Sequence, residues 1–230
     1  MNSRESAKLS FKREIVGCLT SPQSTFKSIL KKPSLVKGTA QILVIAIVAA
    51  WASFNYMSKL PLTFFTQQLE EFFPGEVIPV SSEQIRQASI IMSAVTALIG
   101  VFGTWFISSV LIHGFASVLR GKGSFKTMMT LVGYASTPLL IQQILRLAYS
   151  LLVGEEVLQL VGGLHISAYR LLNMIGNAAV DTFTIFRLWS IVLLIIAASE
   201  NYKISTVRSV VAAALSFILI VFISAFFSLK

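Results

Sequence analysis

Residues 128–153 read MMTLVGYASTPLLIQQILRLAYSLLV. Whether this stretch crosses a membrane decides the fold, because every loop after it changes side with the answer. Its length suffices, since a helix needs about 20 apolar residues to cross a hydrocarbon core of ~30 Å. Its composition is the obstacle: Pro138, Gln142, Gln143 and Arg146 are each unfavourable in lipid.

The neighbouring loops decide in its favour. Four further apolar windows lie at Gly38 to Ser58, Ala88 to Val118, Ala178 to Ser199 and Ser209 to Ser228. Arg4, Lys8, Lys12, Arg13, Lys27, Lys31, Lys32 and Lys37 precede the first window against only Glu5 and Glu14. A segment so basic stays in the cytoplasm. With five spans, the loops carrying Arg120, Lys122 and Lys126 and then Glu200, Lys203 and Arg208 also fall inside. The acidic loops with Glu70, Glu71, Glu76 and Glu155, Glu156 fall outside. Without the third span the Glu155–Glu156 loop would turn inward and spoil this segregation. The expected fold is all-α: a polytopic helical bundle of five transmembrane helices (38–230) behind an amphipathic cytoplasmic arm (1–37), N terminus inside and C terminus outside.

The remaining composition agrees. The chain has 230 residues, 55% of them hydrophobic and 13% charged, with a net charge of +9 and a mean hydropathy of +0.77, which is not the balance of a water-soluble domain. The basic excess sits beside the first span, so anionic lipid headgroups, and not nucleic acid, are the expected partner. The single cysteine, Cys18, excludes an intramolecular disulfide; it reads as an ordinary small residue or, as a juxtamembrane thiol, an acylation site. No cleavable signal precedes the spans, and the first span reads as the insertion signal.

The arm reads as two short helices. Thr20 or Ser21 caps the second, Pro22 takes its first position, and Phe26, Ile29 and Leu30 share a face with Lys27, Lys31 and Lys32 off it. Laid on the inner leaflet, each exposed lysine contributes on the order of 1 kcal/mol near anionic lipid, and Lys37 extends the cluster. Outside, Leu62 to Phe73 forms a second amphipathic stretch. Ser81 and Gln84 have capping-box spacing, which starts the second helix near Ser82 and makes it longer than the bilayer is thick. Within it Ser89, Ser93, Ala97, Gly100 and Gly103 read as small residues for close helix approach.

Ionisable residues inside spans need an explanation. Pro138, Gln142, Arg146 and Tyr149 make one polar stripe on the third span, expected to face the bundle; Asp181, Thr184 and Arg187 make an arc on the fourth. Counting inward at 1.5 Å per residue puts Arg146 about 10 Å deep, Asp181 about 5 Å and Arg187 about 14 Å, which brings Arg146 within reach of Asp181 as an ion pair. Arg187 is the candidate partner for the Tyr134 carbonyl, which Pro138 leaves without a donor. The same stripe also reads as a path for an ion. His113 and His165 fall on opposite sides and cannot share a metal. No GxSxG, HExxH, GxxxxGK[ST] or GxGxxG is present, so neither a cofactor nor a catalytic site is expected.

Three stretches then read together: LTSPQSTFKSILKK (19–32), Gly103-Thr104-Trp105, and GKGSFKTMMTLVGYASTP (121–138), with Leu188-Trp189 beyond. With these the chain resembles the Yip1-domain family, in particular its shorter prokaryotic members, over nearly its whole length. The resemblance implies a five-span bundle with a cytoplasmic N terminus, in the cell membrane of a prokaryote. Gly121, Gly133, Tyr134 and Pro138 then match family positions, as do Gly103 and Trp105. It further implies a non-catalytic protein of membrane organisation, since eukaryotic members are associated with membrane shaping, vesicle traffic and small Rab-type GTPases. The acidic Asp-Leu-Tyr-Gly-Pro type stretch of that branch is absent; basic Lys31-Lys32-Pro33 stands before the first span. Two functions follow, a membrane-organising adaptor or a small transporter or channel-like protein using the polar stripe. Sequence leaves the oligomeric state open.

Overall fold

The computed structural model describes residues 11–66, 81–152, 154 and 184–228. Among them the chain is helical, without strands. Two short helices form the arm, α1 (Phe11–Thr20) and α2 (Pro22–Lys31). Pro22 occupies the start of α2, where its missing N–H costs nothing. Ser21 caps the helix without a side-chain bond; instead its carbonyl accepts from the hydroxyls of Ser24 and Thr25.

Helix α3 (Leu35–Ser58) follows, then α4 (Ser82–Val118). The Ser81–Gln84 capping box forms: the Ser81 hydroxyl accepts from the Gln84 amide while Gln84 Oε1 accepts from the Ser81 N–H. At 37 residues, α4 is about 55 Å long. Between α3 and α4, residues 62–66 are helical, and Phe65 buries against Leu60, Tyr56 and Ile85; the rest of the expected amphipathic stretch lies outside the described residues.

The third expected span is two helices, α5 (Phe125–Ala135) and α6 (Thr137–Leu152), broken at Ser136. The cause is Pro138. Lacking an N–H, it cannot bond the Tyr134 carbonyl, and the Leu139 N–H turns to Ser136 instead of Ala135. Both orphaned carbonyls are satisfied. The Thr137 hydroxyl donates to Tyr134 at 2.6 Å, and the Ser190 hydroxyl, from the next helix, donates to Ala135 at 2.8 Å. Thr137, not Arg187, therefore holds the Tyr134 carbonyl. A buried polar group left unpaired here would cost roughly 1–3 kcal/mol, so the two hydroxyls make the break tolerable.

The last helices are α7 (Ile185–Tyr202) and α8 (Thr206–Ser228). Thr184 caps α7 through a bond from the Arg187 N–H; the expected start at Ala178 lies outside the described residues. Helix α3 packs on α4 and on α5–α6, α7 packs on α5–α6 and α8, and α8 returns to α4, closing a ring. Of these, α3, α4 and α7 are long and apolar enough to cross a membrane.

Close packing concentrates at the end of the bundle that carries the arm. Cys18, Phe26 and Ile29 pack with Ile112, Met128, Leu131, Tyr134 and Ala197 in one cluster. Gly133 lets α5 touch α3: a Cβ there would stand 2.5 Å from the Gly38 carbonyl oxygen. Gly121 and Gly123 do the same for Tyr202, whose ring a Cβ at Gly123 would meet at 2.5 Å. Gly100 and Gly103, by contrast, have nothing within 4 Å of a Cβ. They do not bring two helices together, which corrects the sequence expectation.

Candidate functional site

Two places gather the polar residues. The first is the underside of the bundle, where the arm docks. Glu14 lies on the apolar face of α1 between Phe11, Ile15 and Cys18, an acid where the periodicity calls for an apolar residue. It is 8% exposed. Its carboxylate accepts from Lys37 Nζ at 2.7 and 2.9 Å and from the Tyr134 hydroxyl, so arm, α3 and α5 meet at one side chain. Phe11 packs edge-on against the Tyr134 ring. Burial in this pocket, with the Glu14 charge adding, pushes the Cys18 thiol up to about 12; it is an inert packed group at neutral pH.

The second helix of the arm is fastened through α7. Glu200, only 12% exposed at its side chain, accepts from Gln23 at 3.3 Å and faces Lys27 at 3.5 Å and Lys203 at 3.6 Å. Asn201 donates to the Ser124 carbonyl, and the Lys122 N–H donates to the Tyr202 carbonyl. The Tyr202 hydroxyl meets His113 Nδ1 at 2.7 Å, giving His113 a structural partner; His165 lies outside the described residues.

Two expectations change here. The apolar face of α2 does not lie on lipid: Phe26 is fully buried and Ile29 5% exposed, both against the bundle. Lys37 is not a free surface cation but the partner of Glu14. Lys27, Lys31 and Lys32 do face solvent, with Lys12, Arg13, Arg120, Lys122, Lys126, Lys203 and Arg208. At this end the described acids, Glu14 and Glu200, are each held in ion pairs, while every described lysine and arginine except Lys37 is exposed.

The second place is a half-open cavity of about 320 Å³ inside the helix ring, with Gln142, Gln143, Arg146 and Arg187 on its wall among Ile45, Ala49, Leu194 and Ile220. The polar stripe of α6 thus reaches it, but not as one inward face. Pro138 and Gln142 are buried, whereas Arg146 and Tyr149 are exposed. Among the described residues, the Thr184 hydroxyl at the start of α7 donates to Gln142 Oε1 of α6 at 3.3 Å; Asp181, the expected partner of Arg146, lies outside the described residues. Trp105, another cavity residue, donates from Nε1 to the Met129 carbonyl at 2.9 Å and ties α4 to α5.

No group of three His, Cys, Asp or Glu side chains converges among the described residues. Apolar helices of spanning length, with the charge gathered at one end, define a helical membrane protein. The chain belongs to the Yip1 domain family, whose family model matches residues 16–229. It is also similar to an uncharacterized protein of Methanocaldococcus jannaschii, 23% identical over 124 residues, which is 54% of this chain and 79% of that relative. No solved structure matches.

Proposed function

We propose that the chain is a non-enzymatic, five-span membrane organiser that works as an adaptor through its cytoplasmic end, N terminus inside and C terminus outside. One observation carries this reading: the docked arm, the 121–124 turn and the end of α7 form one built surface with exposed bases and acids held in ion pairs. Such a surface is held by protein contacts and attracts anionic headgroups or the acidic face of a cytosolic protein by charge. The association of the family's eukaryotic members with small GTPases makes a GTPase the first partner to test. Five spans follow from counting α8 and the broken pair α5–α6 with the three apolar helices, which keeps the exposed bases on one side.

Photo-crosslinking from probes at Lys31 and Lys122 in cells, with mass spectrometry, tests the adaptor role. Reproducible capture of one cytosolic protein, lost when Lys31, Lys32, Lys122 and Lys126 become Glu, is the expected result. Capture of lipid alone would end the adaptor reading. A second reading, a small transporter or channel-like protein, draws on the cavity and its arginines; solute flux in liposomes that vanishes in Arg146→Gln would favour it.

A further inference from the structure

The cavity is the feature that neither the packing nor the adaptor role uses. Its volume lies at the lower end of the ~300–1,000 Å³ typical of small-ligand sites. It exists because α4 presents Ala97 and Gly100 to it, and a Cβ on Gly100 would still meet nothing within 4 Å. Its wall is mostly apolar with polar side chains set into it, and in a bilayer such a half-open recess between helices gains dispersion contacts when an acyl chain enters.

Arg146 puts a positive charge on the cavity wall. Its side chain is exposed, lines the cavity, and forms no ion pair among the described residues. A guanidinium within a bilayer is costly until it finds an anion or reaches the surface, its planar fork matches a phosphate, and a lipid without a cationic headgroup leaves that phosphate's charge to it. Gln143, also on the wall, adds an amide donor beside it. We propose that the cavity holds one acyl chain of an anionic phospholipid whose phosphate rests on Arg146. This is independent of the adaptor reading and goes beyond it.

The test is native mass spectrometry of the full chain released from nanodiscs made of equal phosphatidylglycerol and phosphatidylcholine. One retained phosphatidylglycerol per chain is expected, with about tenfold weaker retention in Arg146→Gln. Gly100→Leu, which fills the recess, should abolish retention of either lipid; should that variant not yield a monodisperse protein, Thr104→Leu on the same wall replaces it. Retention that ignores headgroup charge, retention unchanged in the filled variant, or a free fatty acid in place of phospholipid would each overturn the proposal.

Discussion

The two ends of the bundle are built differently. At the arm end, backbones touch at Gly38 and Gly133, and Glu14, Glu200 and Tyr202 each tie two or more elements together. Toward the other end the ring leaves a recess of about 320 Å³, and among the described residues the second buried cluster consists of Leu60 and Phe65. The contrast follows from solvent. At the arm, water is the alternative to packing, so burying Phe26 or Ile29 gains roughly 1.5–3 kcal/mol each. Between helices in lipid that driving force is absent, and only shape and hydrogen bonds hold the ring. Close packing is therefore concentrated at the end that carries the arm.

Breaking the tight end should have the largest effect. Gly133→Val drives a side chain into the Gly38 backbone and should cost on the order of 3 kcal/mol, read as loss of monodisperse protein in detergent. An unchanged melting temperature would remove the backbone contact from the account. Glu14→Ala leaves the buried Tyr134 hydroxyl without its acceptor and should weaken arm docking by about 2 kcal/mol; Lys37 adds little, since 38% of its side chain meets solvent. The measurement is maleimide labelling of Cys18, slow in the native chain and fast in the variant. Equal rates would mean that Glu14 does not hold the arm.

The Cys18 thiol adds a pH dependence. Its folded pKa lies above its unfolded value of 9.0, so unfolding releases its proton first: its contribution to docking is complete below about pH 9 and declines toward pH 12. Cys18→Ala should remove that part of the alkaline loss, seen as a flatter profile of arm proteolysis against pH.

Smaller effects sharpen the comparison. Tyr202→Phe removes the hydroxyl at His113 and should cost about 1 kcal/mol, measured by thermal unfolding; a larger loss would move weight from the ring's packing to the bond. Gly103→Ala should raise stability by about 0.5–1 kcal/mol, because a Cβ there meets nothing. Destabilisation instead would mean that a second molecule packs on that face.

What the sequence made legible was local. The Ser81–Gln84 capping box, the start of α2 at Pro22 and the long α4 are each written within a few neighbouring residues. Pro138 announced trouble with the carbonyls before it, but that of Ala135 is satisfied by Ser190, 55 residues further along the chain from Ala135, and no period of 3.6 predicts that. The arm's anchor was missed for the same reason. Glu14 and Tyr134 are 120 residues apart, and the one clue was an acid on an apolar face. Gly103 and Gly133 are alike as letters; only the neighbouring helix distinguishes a contact from open space. Of the polar stripe, Gln142 is buried at the cavity wall, whereas Arg146 emerges exposed there.

The hydroxyl that Ser190 donates to Ala135 has a consequence for biogenesis. A segment interrupted by Pro138 and carrying two glutamines and an arginine is a poor candidate to leave the translocon alone, and one of its open carbonyls waits for a donor that has not yet been synthesised. Helices α5–α6 and α7 are thus expected to partition into lipid together, the earlier pair held back until α7 emerges from the ribosome.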